Sequence, residues 1–362
     1  KRTKWRGDSI IKRQEKTLVA DIMNICNNCN ITEKEMDKKD LRIVFMGTPE
    51  FAVESLQRMV ENEYNVVAVV TQPDKPVGRH GSILRPSPVK QYALEHNIPV
   101  LQPEKMKDPM FVEQLKALNA DIQVVVAFRM LPEIVWSMPR FGTFNVHAAL
   151  LPQYRGAAPI NWAVINGETK TGVTTFFLDH DIDTGRIIMQ REFNIPDDAD
   201  VEYVYDGLMH LGADICIDTL NLVLEKGEEV ESIPQQEEGT LHAAPKLFKE
   251  TCCINWHQNA KQVYDFVRGL CPVPGAWCDI ATAEGKPVTI KIFKAKKLSN
   301  DNTQALPTPG TVGSIYSQHG HLYIAATDNW LEITELQMAG KKRMSAKDFL
   351  NGNKQIDEYS VV

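Results

Sequence analysis

A chain of 362 residues, 43% of them hydrophobic, is long enough to bury two cores. It contains no run of eighteen apolar residues, and its polar, basic first residues lack the apolar centre of a signal peptide. We therefore expect a cytoplasmic protein that neither spans a membrane nor is secreted. Seven irregularly spaced cysteines fit a reducing compartment and do not indicate a disulfide framework.

The net charge of −7 is unevenly distributed along the chain. Residues 41–239 contain 16 basic and 29 acidic side chains, whereas residues 240–362 contain 14 and 11. A mildly basic back half on an acidic protein suits a polyanionic partner, because phosphate contacts supply most of the sequence-independent affinity for nucleic acid. Ordinary surface variation would explain the same excess, so charge alone leaves the partner open.

Residues 1–40 are predicted to be a disordered extension. Residues 1–35 contain few large apolar side chains and no clear periodicity, and the first predicted strand begins at Leu41. Cys26 and Cys29 have the spacing of a metal-binding pair, but no second pair or histidine partner accompanies them. We therefore expect no metal site.

From residue 41 the pattern alternates between strands and helices. Near-continuous apolar runs at 66–70 and 122–127 are typical of parallel strands buried on both faces. Residues 204–224 have apolar side chains at helical spacing and predict a helix that closes this domain. The predicted fold over residues 41–232 is a doubly wound α/β domain with a mostly parallel, Rossmann-like sheet. Its ligands would bind at the carboxyl ends of the strands.

Three polar residues predict a catalytic site at one of these strand ends. Asn145 and His147 lie two positions apart on a predicted strand, so their side chains project to the same side. A carboxamide can stabilise an oxyanion while an imidazole moves a proton, as acyl transfer between nitrogens requires. Asp183 lies in a turn-like Asp-Ile-Asp-Thr-Gly segment and can supply a carboxylate. Each feature alone is also typical of a half-buried polar pair or an ordinary turn.

The back part of the chain predicts a small β-barrel. Residues 233–246 are rich in Gln, Glu, Gly and Pro and are interpreted as a linker, and a helix is expected near 260–270. Five short strands follow, and they suit a barrel. They are predicted at 277–281, 288–298, 310–316, 321–325 and 330–338. We assign residues 247–350 to this domain and residues 351–362 to a tail.

Four blocks of sequence resemble one family, the 10-formyltetrahydrofolate-dependent formyltransferases, and within it the members that act on an aminoacyl-tRNA. The blocks are LRIVFMGTPEF from Leu41, TQPDKP from Thr71, the run from Asn145 through LLPQYRGAAPI to Ile160, and RGLCPVPGAW from Arg268. Their order and spacing match from residue 41 to about residue 350. The resemblance implies that the back domain is a barrel similar to the oligonucleotide-binding fold and binds tRNA.

The same resemblance implies the reaction. A monomer would transfer the formyl group of 10-formyltetrahydrofolate to the α-amine of methionine on initiator tRNA and release tetrahydrofolate, without a metal or a covalent intermediate. Asn145 would donate to the oxyanion, and His147 would accept the proton of the attacking amine. Asp183 would order a water and favour the protonated imidazole.

A folate slot is implied along residues 126–131 and the 178–183 loop. The residues expected to contact the folate are Phe128, Arg129, Met130, Leu131, Leu150, Leu151, Pro152 and Asp179. Arg129 stands where many relatives have glycine, and one residue fewer precedes the Leu-Pro pair. The contacts at 128–131 therefore depart from the usual pattern.

A basic loop around Arg79 and Arg85 is implied to engage the acceptor end of the tRNA, although a merely solvated loop fits the same sequence. Arg155 either fixes its own loop or meets the end of the substrate. The other expected tRNA contacts are Lys246, Arg268, Lys341, Lys342 and Arg343.

Two other functions remain open from the sequence. The nearer one is a formyltransferase acting on a small amine such as an amino sugar nucleotide, which would share the Asn145, His147 and Asp183 set. The more distant one is a non-enzymatic nucleotide- or RNA-binding module, which would not need that set.

Overall fold

The computed structural model describes residues 36–77, 83–282, 285–298 and 306–362. Residues 1–35 of the predicted extension 1–40 and the expected tRNA contact Arg79 lie outside the described residues. Within residues 36–40, the carbonyls of Lys38 and Lys39 accept hydrogen bonds from Asn65 at the start of the second strand. Residues from Lys38 to the C-terminus form one unit, and its described part contains two seven-stranded sheets, one in each half of the chain, and two short two-stranded sheets.

The front half is built on a seven-stranded sheet. Its strands are β1 Arg42–Gly47, β2 Asn65–Val70, β5 Val100–Leu101, β6 Ile122–Val126, β7 Thr143–His147, β9 Lys170–Phe177 and β10 Ile187–Asn194. Their order in the sheet is β10-β9-β7-β6-β1-β2-β5. Five strands run parallel, and β9 and β10 form an antiparallel edge. The expected mostly parallel, doubly wound fold is confirmed.

Short strands pair outside this sheet. Strand β3 Lys75–Val77 pairs in antiparallel with β4 Ile83–Arg85, and residues 78–82 between them lie outside the described residues. Strand β8 Arg155–Gly156 pairs in parallel with β11 Ala243–Ala244, which lies inside the predicted linker. The linker is therefore hydrogen-bonded to the front half of the protein.

Helices cover the first sheet, and local sequence sets where several of them begin. Ser87, Asp108 and Asp200 each accept a backbone N–H with the side chain at a helix N-terminus, which satisfies a donor that has no partner within the helix. The helices of this half are α1 Glu50–Glu61, α2 Pro88–Glu95, α3 Pro109–Ala117, α4 Glu133–Trp136, α5 Pro159–Ile165 and α6 Val201–Lys226.

The long helix α6 packs against α1, β9 and β10. In the described part of the chain, Val201–Glu229 is the stretch that is long and apolar enough to cross a membrane by length and composition alone. Its apolar residues Val204, Leu208, Ile215 and Leu220 are fully buried within the protein, as is typical of a core helix.

The back half is a second seven-stranded sheet of order β14-β15-β16-β13-β12-β18, with β17 paired to β16. Its strands are antiparallel. Its elements are α7 Ala260–Gly269, β12 Ala276–Ala281, β13 Val288–Lys297, β14 Ile315–Gln318, β15 His321–Ala325, β16 Trp330–Met338, β17 Met344–Ser345, α8 Ala346–Gly352 and β18 Ser360–Val361. The strand expected at 310–316 begins only at Ile315, because Gly313 adopts a φ of +82° in the preceding turn.

The last residues close this sheet into a near-barrel. Strand β18 pairs with β12 on one side, and Ser360 bridges Ser314 beside β14 on the other. Ile356 is 2% exposed and belongs to the apolar core of the barrel. Residues 351–362, expected to be a tail, thus include one strand and one core residue of the barrel.

The two halves contact each other through α5 and α7. Asn161 Nδ2 donates to the carbonyl oxygen of Gly269 at 2.9 Å. A Cβ on Gly269 would lie 2.6 Å from the side chain of Ile165, so this close approach of the helices requires glycine. The relative placement of sheet and barrel is therefore determined by direct packing.

Candidate active site

Strand β7 carries Asn145 and His147 to the carboxyl end of the first sheet, between β6 and β9. Asn145 lies opposite Val125 of β6 and Phe176 of β9. It is half-buried, and its Oδ1 is a buried acceptor with no hydrogen-bond partner among the described residues. Since buried polar atoms are nearly always paired, this oxygen indicates a position for a substrate group.

His147 is 6% exposed and is held through one ring nitrogen. Its Nε2 lies 2.9 Å from the carbonyl oxygen of Tyr154. A carbonyl can only accept, so Nε2 carries the hydrogen and Nδ1 is the free base of the neutral ring. Nδ1 lies 3.9 Å from Asp183 Oδ2.

Asp183 reaches this site from the loop between β9 and β10. Its Oδ2 accepts the backbone N–H of Gly156 at 2.9 Å. Its backbone has a φ of 56°, in the left-handed region that residues other than glycine seldom occupy. The structure therefore brings together the three residues that the sequence singled out, from segments almost forty residues apart.

The loop after β7 supplies backbone groups to both His147 and Asp183. Tyr154 has a φ of 59° and presents its carbonyl to the imidazole, while its hydroxyl donates to Glu168 at 2.6 Å. Burial is the main cause that raises the pKa of Tyr154 above its ordinary value, so this hydroxyl stays protonated. Gly156, with a φ of 129°, leaves room for the carbonyl of Ala244, which a Cβ would approach to 2.4 Å.

The predicted folate slot has one apolar wall beside this site. Phe128, Leu131 and Leu178 belong to or pack against one buried cluster, which includes Val125 of β6, the residue opposite Asn145. Met130 is 69% exposed, and Asp179 is exposed and accepts the N–H of His180. These four positions at 128, 130, 131 and 179 therefore stay predictions as folate contacts.

The side chain of Arg129 is hydrogen-bonded to the backbone of a neighbouring loop. Its guanidinium donates to the backbone oxygens of Pro103 and Glu104. Desolvation lowers the pKa of Arg129 from its ordinary value. In place of glycine, this arginine ties the strand end to the 103–104 loop.

The segment Leu150–Leu151–Pro152 packs mainly on the sheet. Leu151 is 3% exposed and lies in an apolar cluster with Phe176 and Ile187. Its N–H donates to Thr174 Oγ1, and its carbonyl accepts from Gln190. Leu150 and Pro152 are partly buried, and their contact with folate stays a prediction.

The residues expected to bind tRNA fall into two groups. Arg85, Lys246, Lys341 and Lys342 are exposed, and their role stays a prediction. Arg343 is exposed as a residue, but its guanidinium pairs with Glu335 and lies 4.3 Å from the centre of the Phe293 ring.

Arg268 requires a correction. It is 6% exposed, its Nε donates to Asp265, and its Nη1 donates to the carbonyl of Ala199 at 2.8 Å. This arginine joins the barrel to the front half and is inaccessible to a phosphate. The expectation that Arg268 contacts tRNA is wrong, because the sequence did not reveal its burial.

Arg155 fixes its own loop, one of the two roles expected for it. Its guanidinium donates to Gln235 Oε1, at 3.0 Å from Nε and 2.7 Å from Nη2, and to Glu237 at 2.6 Å. Gln235 was not among the predicted site residues, because it lies in a polar stretch that was interpreted as a linker. No local pattern distinguishes it from the neighbouring Gln236.

In the described part of the chain, no group of three or more His, Cys, Asp or Glu side chains is placed to hold a metal ion.

Comparison with known families identifies the fold and the chemistry. Residues 41–220 match the family described as formyl transferase, and residues 246–354 match the formyl transferase C-terminal domain. The chain belongs to the formyl transferase family. Formyl transferases of this family use 10-formyltetrahydrofolate as the formyl donor.

Several relatives of this formyl transferase are similar over almost its whole length. A methionyl-tRNA formyltransferase of Parabacteroides distasonis is 57% identical over 331 residues, which cover 90% of this chain and 100% of the relative. A methionyl-tRNA formyltransferase of Bacteroides fragilis is 55% identical over 320 residues, covering 88% of this chain and 96% of the relative.

Solved structures share the fold of this formyl transferase. HypX from Aquifex aeolicus in complex with tetrahydrofolic acid has a TM-score of 0.56 at 19% identity, covering 87% of this chain and 47% of HypX. An N-formyltransferase from Helicobacter canadensis, in complex with folinic acid and dTDP-3-aminofucose, has a TM-score of 0.57 at 18% identity. That match covers 83% of this chain and 99% of the other.

Proposed function

We propose that this protein transfers the formyl group of 10-formyltetrahydrofolate to the α-amine of methionine on initiator tRNA, producing N-formylmethionyl-tRNA for translation initiation. The observation that supports the chemistry is the free Nδ1 of His147 facing the Asp183 carboxylate at 3.9 Å, two residues from the unpaired Oδ1 of Asn145. The choice of substrate rests on relatives named methionyl-tRNA formyltransferase at 52–57% identity.

Asn145 is proposed to bind both reacting groups. Its amide N–H would donate to the formyl oxygen as that oxygen becomes negative, and its free Oδ1 would accept an N–H of the attacking amine. A donor placed for a developing oxyanion is typically worth about 10² to 10³ in rate.

His147 is proposed to accept the proton at Nδ1. As the amine attacks, a C–N bond forms to methionine and the bond between the formyl carbon and folate N10 breaks. The proton that leaves the amine passes through Nδ1 to N10 of the departing tetrahydrofolate, so charge and atoms balance. General acid–base catalysis of this kind contributes about 10² to 10⁴ in rate.

Asp183 is proposed to stabilise the imidazolium that exists between those two proton transfers. Protonation places a donor on Nδ1, which then faces a carboxylate already oriented by the N–H of Gly156. A charge-assisted hydrogen bond forms if the gap closes by about 1 Å. The carbonyl of Tyr154 keeps the opposite nitrogen protonated throughout.

We propose that residues 41–232 form the catalytic domain and that the barrel over residues 247–350 holds tRNA. The proposed phosphate contacts are the exposed Arg85, Lys246, Lys341 and Lys342, together with Arg79, which lies outside the described residues. The protein is proposed to act as a monomer in the cytoplasm, without membrane association. The packing of α6 within the core supports the last point.

The test is an assay of formyl transfer to charged initiator tRNA. Uncharged tRNA, free methionine and a dTDP-amino sugar are tested in parallel with the same formyl donor. Formylation of the charged tRNA alone is expected. Formylation of the amino sugar in preference to the tRNA would replace the proposed substrate with a small amine while leaving the site chemistry in place.

A further inference from the structure

Gln235 lies in the segment predicted to be a linker, yet it contacts the loop that contains Asp183. Its Nε2 donates to the carbonyl oxygen of Asp183 at 2.7 Å and to that of Gly185 at 2.9 Å. The neighbouring Ile233 forms two backbone hydrogen bonds with Ile187, at the start of β10. Residues 233–235 are therefore hydrogen-bonded to residues 183–187, the segment that contains Asp183.

The chemistry of its partners determines how the Gln235 amide is oriented. The guanidinium of Arg155 can only donate, so it must face Oε1. The carbonyls of Asp183 and Gly185 can only accept, so they must face Nε2. A glutamine satisfies both sides, whereas a glutamate of the same shape would place an acceptor against two acceptors.

Asp183 needs such support because of its backbone. Its φ of 56° costs free energy in a residue with a side chain, and such a conformation persists only where surrounding contacts hold it. The backbone N–H of Gly156 holds the carboxylate, and Gln235 holds the carbonyl. Arg155 and Gly156 are adjacent, so the two supports belong to one hydrogen-bonded unit.

We propose that Gln235 is a positioning residue for formyl transfer: by holding the main chain of Asp183, it keeps the carboxylate facing Nδ1 of His147. This inference rests on the proposed function, which assigns Asp183 its role. A displacement of about 1 Å in a catalytic group can cost as much as 10² in rate, so loss of this contact has a measurable effect. Gln235 itself touches no substrate.

The experiment compares Gln235→Glu with Gln153→Glu in the full chain. Gln153 is a matched control because it also ties the loop after β7 to the linker, donating to the carbonyl of Thr240 and accepting the N–H of His242, without touching Asp183. Rates are measured at saturating charged tRNA and formyl donor, together with both KM values and the thermal midpoint.

We expect Gln235→Glu to lower kcat by about tenfold or more while both KM values stay within about twofold. Gln153→Glu should leave kcat within about twofold of the parent. In an Asp183→Ala background, adding Gln235→Glu should cause no further loss, because Gln235 acts through Asp183. This non-additivity distinguishes positioning from general loosening of the fold.

Unchanged kcat in Gln235→Glu would overturn the inference, as would an equal loss in Gln153→Glu or a full additional loss in the Asp183→Ala background. The comparison in the Asp183→Ala background requires that Asp183→Ala is itself impaired. If Asp183→Ala transfers formyl groups at the parental rate, the proposed role of Asp183 fails, and the inference fails with it for that separate reason.

Discussion

His147 Nδ1 faces Asp183 Oδ2 across 3.9 Å, on the opposite side of the imidazole from the carbonyl of Tyr154. The neutral ring can therefore accept a proton only at the nitrogen that faces the carboxylate. The geometry separates the nitrogen that anchors the ring from the nitrogen available for chemistry. Asn145, two residues earlier on the same strand, projects from the same face of the sheet.

Asn145→Ala and His147→Ala should each lower the rate of formyl transfer by at least about 10². The first variant lacks the oxyanion donor, and the second lacks the proton acceptor. Folate binding and the thermal midpoint should change little. Steady-state assays and fluorescence titration of folate measure the two effects. His96→Ala on the exposed end of α2 is the control, and near-parental turnover in either site variant would contradict the assignment.

The double variant Lys341→Ala, Lys342→Ala should weaken tRNA binding and reduce its dependence on salt. A protein that makes fewer phosphate contacts releases fewer counterions when it binds tRNA. Arg79→Ala, Arg85→Ala should weaken tRNA binding or lower turnover. Folate affinity should be unchanged in both double variants. Filter binding between about 50 and 200 mM salt measures the slopes. Parental slopes and turnover in both variants would contradict a tRNA contact by Lys341 and Lys342 and by Arg79 and Arg85.

Arg268→Leu should destabilise the protein by about 1 to 3 kcal/mol, because it removes the buried partner of Asp265, which is 2% exposed, and leaves that carboxylate paired only with the more exposed Lys261. Chemical denaturation measures the free energy of unfolding. Arg191→Leu is the control, since that arginine pairs with Asp218 at the surface, where an ion pair contributes about 1 kcal/mol at most. Equal losses of unfolding free energy in the two variants would show that the buried ion pair of Arg268 is no more stabilising than the surface ion pair of Arg191.

A chain ending at Asn353 should lose thermal stability and tRNA binding, because it lacks β18, which bridges the two edges of the barrel. Ile356→Ala in the full chain should cost about 2 to 5 kcal/mol, as expected for a buried large-to-small substitution. Thermal melts and denaturant titrations measure both effects. A shortened chain that melts at the parental temperature would show that the last residues do not close the barrel.

Asp74, beside the β3–β4 hairpin, should titrate abnormally. Hydrogen bonds from Lys90 and Gln102 lower the pKa of its carboxyl group. The contribution of the ionised Asp74 to the free energy of unfolding is therefore present above the ordinary pKa of aspartate. It is lost as the pH falls through the lower pKa that Asp74 has in the folded state. Lys90→Met should raise the pKa of Asp74 towards its ordinary value in a carbon-13 NMR titration. An unchanged titration would show that Lys90 is not its main partner.

Local sequence was sufficient to predict the first sheet and to propose all three catalytic residues, Asn145, His147 and Asp183. Apolar runs such as 122–127 indicate buried parallel strands because both faces of such strands are covered. The alternation of side chains along β7 is enough to predict that Asn145 and His147 share one face of the strand. These features depend on neighbours in sequence, which periodicity reports directly.

Tertiary structure decided the properties that depend on distant partners. Arg268 has the side-chain chemistry of a phosphate ligand, and only its packing against Ala199 removes it from solvent. Residues 351–362 have no strong strand pattern, but Ser360 pairs with β12 because an open sheet edge lies beside it.

Sequence by itself determined the α/β class, the barrel that follows it and the residue types of the catalytic centre, because hydrophobic periodicity and short motifs record local requirements. The tertiary structure alone decided that Gln235, in a polar linker, supports the backbone of Asp183. A single glutamine becomes a positioning residue through two carbonyls and one guanidinium brought to it from 50 to 80 positions away. Hydrogen-bond partners at such separations leave no periodic trace in the chain.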